Sequence, residues 1–171
     1  MIDPLLPEPL GLTSCRVQIT TERTVILART TSVTAACPAC GRRSSRIHSR
    51  YTRTLADQPW HGRPVQLRLD VRRFFCDSEG CCRRVFAEPL PHVAGRYARQ
   101  TVDLAHAWTG IAFACGGEGG GRLAQRLGMP TSPDTLLRRI RQTALALQGA
   151  PRVLGVDDWA VRRGMRYGTI L

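Results

Sequence analysis

Between Val65 and Val71 the chain alternates without a break: Val65, Leu67, Leu69 and Val71 are apolar, while Gln66, Arg68 and Asp70 are polar. A period of two puts the apolar set on one face of a strand, and that face must cover a core. Phe74, Phe75 and Phe86 are its expected partners. The preceding run Asp57-Gln58-Pro59-Trp60-His61-Gly62 is rich in turn formers and predicts a loop. Upstream, Cys15, Val17 and Ile19 alternate with Arg16, Gln18 and Thr20, and Thr21-Glu22-Arg23 turns into Val25-Ile26-Leu27-Ala28, which predicts a β-hairpin. A Pro-rich start (Pro4, Pro7, Pro9) lies before it, and a further strand approaches Cys37.

Past Pro91 the period lengthens. Tyr97, Val102, Leu104, Ala105, Trp108, Ile111 and Ala112 fit one helical stripe that ends at Cys115-Gly116-Gly117. A glycine-rich turn, a short helix from Gly121 to Leu127 and a stop at Gly128 follow. Ser132 then suits an N-cap, Pro133 the first helical position and Asp134 the positive helix end. The helix they start buries Leu136 or Leu137, Ile140, Ala144 and Leu147, and turns Arg138, Arg139, Arg141 and Gln142 outward. Gln148 to Pro151 reads as a linker, and Val153 to Val156 as the start of a new buried strand.

A length of 171 residues suits one ordinary domain or two small modules, and 43% hydrophobic content supports a modest core. Charge narrows the function. There are 25 basic residues against 13 acidic ones, a net of +12, and every basic residue is Arg. A GC-rich coding bias would explain the missing Lys but not the excess of positive charge. Arg makes planar two-pronged contacts to phosphate and guanine, so nucleic acid is the first partner to consider. Residues 37–99 hold thirteen Arg against five acids, a net of +8, so the charge is concentrated. The most apolar stretch, Val102 to Cys115, is too short to span a bilayer, and the chain starts without the basic and apolar run of a secretory signal. The expectation is a cytoplasmic protein, nucleoid-associated if it binds DNA, with no membrane partner.

Seven cysteines in a reducing compartment point to metal rather than disulfides. Cys37-Pro38-Ala39-Cys40 and Cys76-Asp77-Ser78-Glu79-Gly80-Cys81 can each present two thiolates, and strands between them can bring the pairs together on one tetrahedral Zn2+. Cys82 could replace Cys81, but neighbours in extended chain point to opposite sides, so one of the two is expected to ligate. A redox reading of Cys-Pro-x-Cys wants a βα pattern that does not surround Cys37, and unliganded core thiols are a further alternative. His48, His61, His92 and His106 have no paired spacing and read as surface or packing residues; Cys15 and Cys115 read as buried apolar ones.

Arg122 to Gln142 has the layout of a helix-turn-helix, whose second helix would offer Thr135, Arg138, Arg139, Arg141 and Gln142 to the major groove, with Arg122 and Arg126 on the first. An ordinary helical hairpin with a basic face is the plainer alternative. Gly116 to Gly121 lacks the Gly-Lys-Ser/Thr ending of a phosphate loop. Asp157 and Asp158, at the end of a buried strand, could hold Mg2+ or could simply form a turn.

Several motifs occur together in order: Cys37-Pro-x-Cys, His48-Ser49-Arg50-Tyr51, Leu55-Ala56-Asp57-x-Pro59-Trp60, Arg72-Arg73-Phe74-Phe75-Cys76, Arg83-Arg84-Val85-Phe86, Leu127-Gly128-Met129-Pro130, Ser132-Pro133-Asp134-Thr135-Leu136-Leu137 and Gly155-Val156-Asp157-Asp158. In this the chain resembles the ISL-three family of bacterial insertion-sequence transposases from about residue 12 onward. The resemblance implies an α+β chain: a β-rich zinc-ribbon-like module (1–95), a helical helix-turn-helix module (96–148), and a linker with the first strands of an incomplete ribonuclease-H-like DDE domain (149–171). It implies zinc on Cys37, Cys40, Cys76 and Cys81, and double-stranded DNA with terminal inverted repeats as partner. Asp157 would be the first catalytic acid, with Mg2+ bound only in a full-length relative. Strand transfer needs three acids on two metals, and this chain has one matched acid, so a truncated, non-catalytic DNA-binding part is expected. The alternative is a zinc-stabilised interaction or dimerisation module; a homodimer is compatible with either.

Overall fold

The computed structural model describes residues 11–143, and the backbone alone of 157–162, 164 and 166–170. It is a mixed α+β chain, strand-rich at the start and helical after. The Pro-rich start, Ala144, Leu147, the linker at 148–151 and the strand expected at 153–156 lie outside the described residues.

The alternating segment forms β6 (Arg63–Phe75), the spine of the main sheet. It pairs in parallel with β2 (Thr24–Thr30) on one side and antiparallel with β5 (Ile47–Trp60) on the other, and β1 (Leu12–Ile19) closes the far edge against β2. The short β7 (Val85–Ala87) pairs with the end of β6. β3 (Ala35–Ala36) and β4 (Arg43–Ser44) make a separate two-residue ladder.

Val65, Leu67, Leu69 and Val71 do face a core, but their partners are Leu12, Ile26, Ala28, Leu55, Val93 and Ala94, not the phenylalanines. Strand parity explains the correction. Phe74 is an even position on an unbroken strand, so it faces the other side, where it packs with Phe86, Ala35 and Cys37. Phe75 stays half-buried, with the His48 ring edge-on at 4.9 Å and the Arg46 guanidinium 4.5 Å away.

The expected loop at 57–62 is strand as far as Trp60. Only His61 and Gly62 turn, with φ of 51° and 73°, as a two-residue hairpin requires. Pro59 is tolerated because it falls in the register shift between Asp57 and Trp60, where no ladder bond is lost. β5 was hidden in the sequence by its exposed face of His48, Arg50, Thr52 and Thr54. Cys15, expected to be buried, is exposed because it lies in the β1 bulge between Ser14 and Arg16 and the bulge reverses strand parity.

The helical part also departs from its pattern. Tyr97 is 81% exposed at a positive φ and does not join the stripe. The helix α1 (Val102–Arg126) starts one residue after its cap Thr101, whose hydroxyl accepts from the Leu104 amide. It bends at Gly116 (φ 66°, ψ −161°), the one glycine of the run that breaks it; Gly117 and Gly119 to Gly121 are helical. Tertiary packing overrides their poor helix propensity. An added Cβ would lie 2.8 Å from Leu136 at Gly120 and 3.0 Å from Leu137 at Gly117, so these glycines let α2 (Pro133–Gln142) approach the second arm of α1. Cys115 ends the first arm and is exposed rather than buried. Leu104, Trp108, Ala112 and Leu136 form the helical core, and Trp108 Nε1 donates to the Met129 carbonyl at 3.0 Å.

The two parts are joined through β5. The Ala56 amide donates to the Arg99 carbonyl at 2.8 Å, the Ala56 carbonyl accepts from the Thr101 amide at 2.9 Å, and Thr101 Oγ1 donates to Asp57 at 2.7 Å. Gly128 (φ 75°), beyond the end of α1, sits so close to the hairpin tip that a Cβ there would lie 2.5 Å from the Gly62 carbonyl oxygen. β8 (Asp157–Arg162) and β9 (Arg166–Ile170) pair as an antiparallel hairpin, with Asp157 opposite Ile170.

Candidate metal centre

Cys37 follows β3 directly. Its amide donates to the Arg42 carbonyl at 2.9 Å and its carbonyl accepts from the Gly41 amide at 2.8 Å, so residues 37–41 close a tight turn that aims Cys37 and Cys40 the same way. Gly41, at φ 75°, takes the left-handed position of this turn. The second turn repeats the device after β6: the Cys76 amide donates to Arg84, the Cys81 amide to Ser78, and the Arg83 amide points at Cys81 Sγ from 3.4 Å.

β6 and its partners bring the turns together. The Sγ atoms of Cys37, Cys40, Cys76 and Cys81 all lie within 4.8 Å of one another, with 3.8 Å between Cys37 and Cys81 and 3.6 Å between Cys40 and Cys76. Four sulfurs bound to one zinc at about 2.3 Å stand about 3.8 Å apart on the edges of a tetrahedron, so the spacing fits the ion. Cys82 is exposed and outside the group.

The thiols are electrostatically unequal. Burial of Cys37 favours its neutral form, yet the amides of Ala39 and Cys40 and the thiols of Cys76 and Cys40 outweigh it and lower the pKa from 9.0 to about 7. At Cys81 the Arg83 amide lowers the pKa, but burial and the three neighbouring sulfurs prevail and push it up to about 12. At Cys76 the Ser78 amide and the Cys81 thiol lower the pKa, but burial together with Cys40 and Cys37 leaves it raised. Four thiolates this close repel each other, and a divalent cation is the natural way to hold all four ionised.

Behind the cluster lies a buried ion pair. Arg72 donates to both oxygens of Glu88, at 2.8 and 3.1 Å, to Thr30 Oγ1 at 2.8 Å, and to the Ser32 carbonyl. This ties β6 to β2 and to the chain after β7. Nothing in the sequence pattern singled out Arg72 from the other arginines; its even position beside Phe74 was the available signal.

The sequence-selected helix residues fall on the second arm of α1 and on α2. Arg122, Arg126, Arg138, Arg141 and Gln142 are exposed, whereas Thr135 and Arg139 are half-buried. Ser132 caps α2 by accepting from the Thr135 amide, and Pro133 and Asp134 occupy its first turn. Leu136 is the fully buried member of the Leu136-Leu137 pair, while Leu137 is 37% exposed. Asp157 opens β8.

Residues 34–82 match the family described as the zinc-finger of transposase IS204/IS1001/IS1096/IS1165. The matched span begins just before β3 and ends just after the fourth cysteine of the cluster. Searches among curated proteins and among solved structures find no match. The chain therefore carries a transposase-type zinc-ribbon segment, and its four-cysteine cluster has the donor set that such a segment needs.

Proposed function

We propose that this chain is the DNA-binding N-terminal part of an insertion-sequence transposase, which recognises the terminal inverted repeats. The observation that carries the reading is the transposase zinc-finger match at residues 34–82, laid over the segment whose four sulfurs converge. In this reading Cys37, Cys40, Cys76 and Cys81 hold one structural Zn2+. Four thiolates fill its coordination sphere, so the ion stabilises the fold and leaves no open position for catalysis.

The second arm of α1, the turn at Gly128 and α2 act as the helix-turn-helix. α2 enters the major groove through Arg138, Arg141 and Gln142, with Thr135 and Arg139 at its edge, while Arg122 and Arg126 meet the backbone. Among the described residues no helix is long and apolar enough to cross a membrane. Asp157 is the first metal-binding acid by resemblance; the present 171 residues bind DNA and do not cut it.

The test is binding to duplexes that carry candidate repeats, compared with scrambled duplexes at physiological salt. Preference for the repeat that weakens with salt is expected, and equal affinity for both would overturn the reading. A Mg2+-dependent nick that disappears in Asp157→Ala would overturn the non-catalytic assignment. A stable oligomer without salt-dependent DNA binding would favour an interaction module instead.

A further inference from the structure

The main sheet has two faces of opposite character. Odd residues of β6 look into the core closed by Val93 and Ala94. Even residues look the other way, and register defines what surrounds them. Arg68 stands between Leu27 of β2 and Thr54 of β5, and Leu27 stands beside Arg16 of β1. Two residues further along, Asp70 stands between Arg29 and Thr52; two further again, Arg50 stands beside Arg72. Arg16, Arg29, Arg50 and Arg68 are all exposed. Asp70 is the acid of these rows, and it pairs with Arg50 at 3.1 Å.

Other arginines of this part have structural tasks. Arg53 donates to the carbonyls of Gly95 and Ala98, Arg72 makes the buried pair, and Arg73 lies over the Tyr51 ring. The Arg68 guanidinium bonds to the side chain of Gln66 on its own strand, and the side chains of Arg16 and Arg29 make no hydrogen bond or ion pair with another described residue. Like charges gathered on one sheet face repel each other, a cost that a polyanion would turn into attraction.

The dimensions suit a nucleic-acid backbone. Strands about 4.8 Å apart set the Arg16 and Arg68 backbones about 10 Å apart, and each two-residue step advances about 7 Å. A duplex presents one phosphate charge per about 1.7 Å of axis, so such a patch can meet several phosphates at once. Gln18, Gln66, Thr52 and Thr54 add neutral donors of the kind that contact phosphate oxygens. These rows contain no aromatic side chain on which an unpaired base could stack, which favours a duplex over a single strand.

We propose that this sheet face is a second DNA contact, sequence-independent and separate from α2, which holds the phosphodiester backbone of duplex DNA through Arg16, Arg29, Arg50 and Arg68. It rests on the DNA-binding reading above. The test measures affinity of the full chain across a salt series for repeat and scrambled duplexes, using Arg16→Gln/Arg29→Gln/Arg68→Gln, the matching triple to Lys, and Arg138→Gln/Arg141→Gln in α2. Zinc content and circular dichroism establish that each variant is folded.

The Gln triple is expected to weaken both duplexes about tenfold or more at low salt, and to make the slope of log affinity against log salt shallower by about 2 to 3. The Lys triple should recover most of the slope, because phosphate attraction needs the charge rather than the fork. The α2 variant should instead lose preference for the repeat. A folded Gln triple with wild-type slope and affinity, alongside an α2 variant that loses preference, would overturn the sheet contact and leave the functional reading intact. Wild-type protein that binds neither duplex would overturn both.

Discussion

The cysteine end of the sheet and the α1–α2 pair are both small, and they are held together in different ways. The first has an apolar cluster of only Ala35, Cys37, Phe74 and Phe86, with Cys76 and Cys81 packed beside it. The two-residue strands β3 and β4 add only a two-pair ladder, so in the proposed reading an ion on the four sulfurs supplies most of its order. The second has Leu104, Trp108, Ala112 and Leu136, two capped helix starts, and glycines that let the helices touch. In the proposed reading one region is closed by a metal ion, while the other is closed by steric fit.

Metal removal should separate them most sharply. Structural zinc typically contributes on the order of 10 kcal/mol, so chelation or Cys37→Ser is expected to melt residues 35–44 and 76–87 while α1 and α2 persist. Hydrogen exchange resolved by segment would read this, and equal loss of protection in both regions would break the contrast. Lowering pH should release the metal too, because protons compete for the thiolates. Once the metal is gone and these segments have come apart, Cys37 and Cys81 should both ionise near the ordinary 9.0, because the amides, burial and neighbouring sulfurs that separate them in the folded cluster are lost. Thiolate absorbance of the metal-free protein rising in widely separated steps would show instead that the cluster keeps its shape without metal.

Leu136→Ala removes the fully buried contact of α2 and is expected to cost about 2 to 5 kcal/mol in denaturant unfolding without changing zinc content. Gly120→Ala should cost about 1 to 3 kcal/mol, against the usual gain of Ala in a helix, because its Cβ would meet Leu136. If it stabilised instead, close approach would not be what the glycines provide. Smallest is Ser132→Ala, about 1 kcal/mol from the lost cap on the Thr135 amide.

Legibility followed the range of the interaction. The Ser132-Pro133-Asp134 helix start and the strict alternation of β6 are local, and both are where the sequence puts them. Spacing selected Cys37, Cys40 and Cys76 with one of Cys81 and Cys82; the sulfur that joins the other three is that of Cys81, and Cys82 is left outside. The glycine run misled because helix propensity knows nothing of Leu136 and Leu137, and β5 was missed because its partner, not its own pattern, makes it a strand.

The sequence by itself determined the cysteine donor set, the excess and concentration of arginine, and the helix caps, since each depends on residue type and near neighbours. Only the tertiary structure decided which arginines are structural and which are exposed. Arg72 and Arg68 are four residues apart on one strand, yet Arg72 is buried against Glu88 and Arg68 faces outward. What covers each stretch of that face comes from distant parts of the chain, and composition does not encode that.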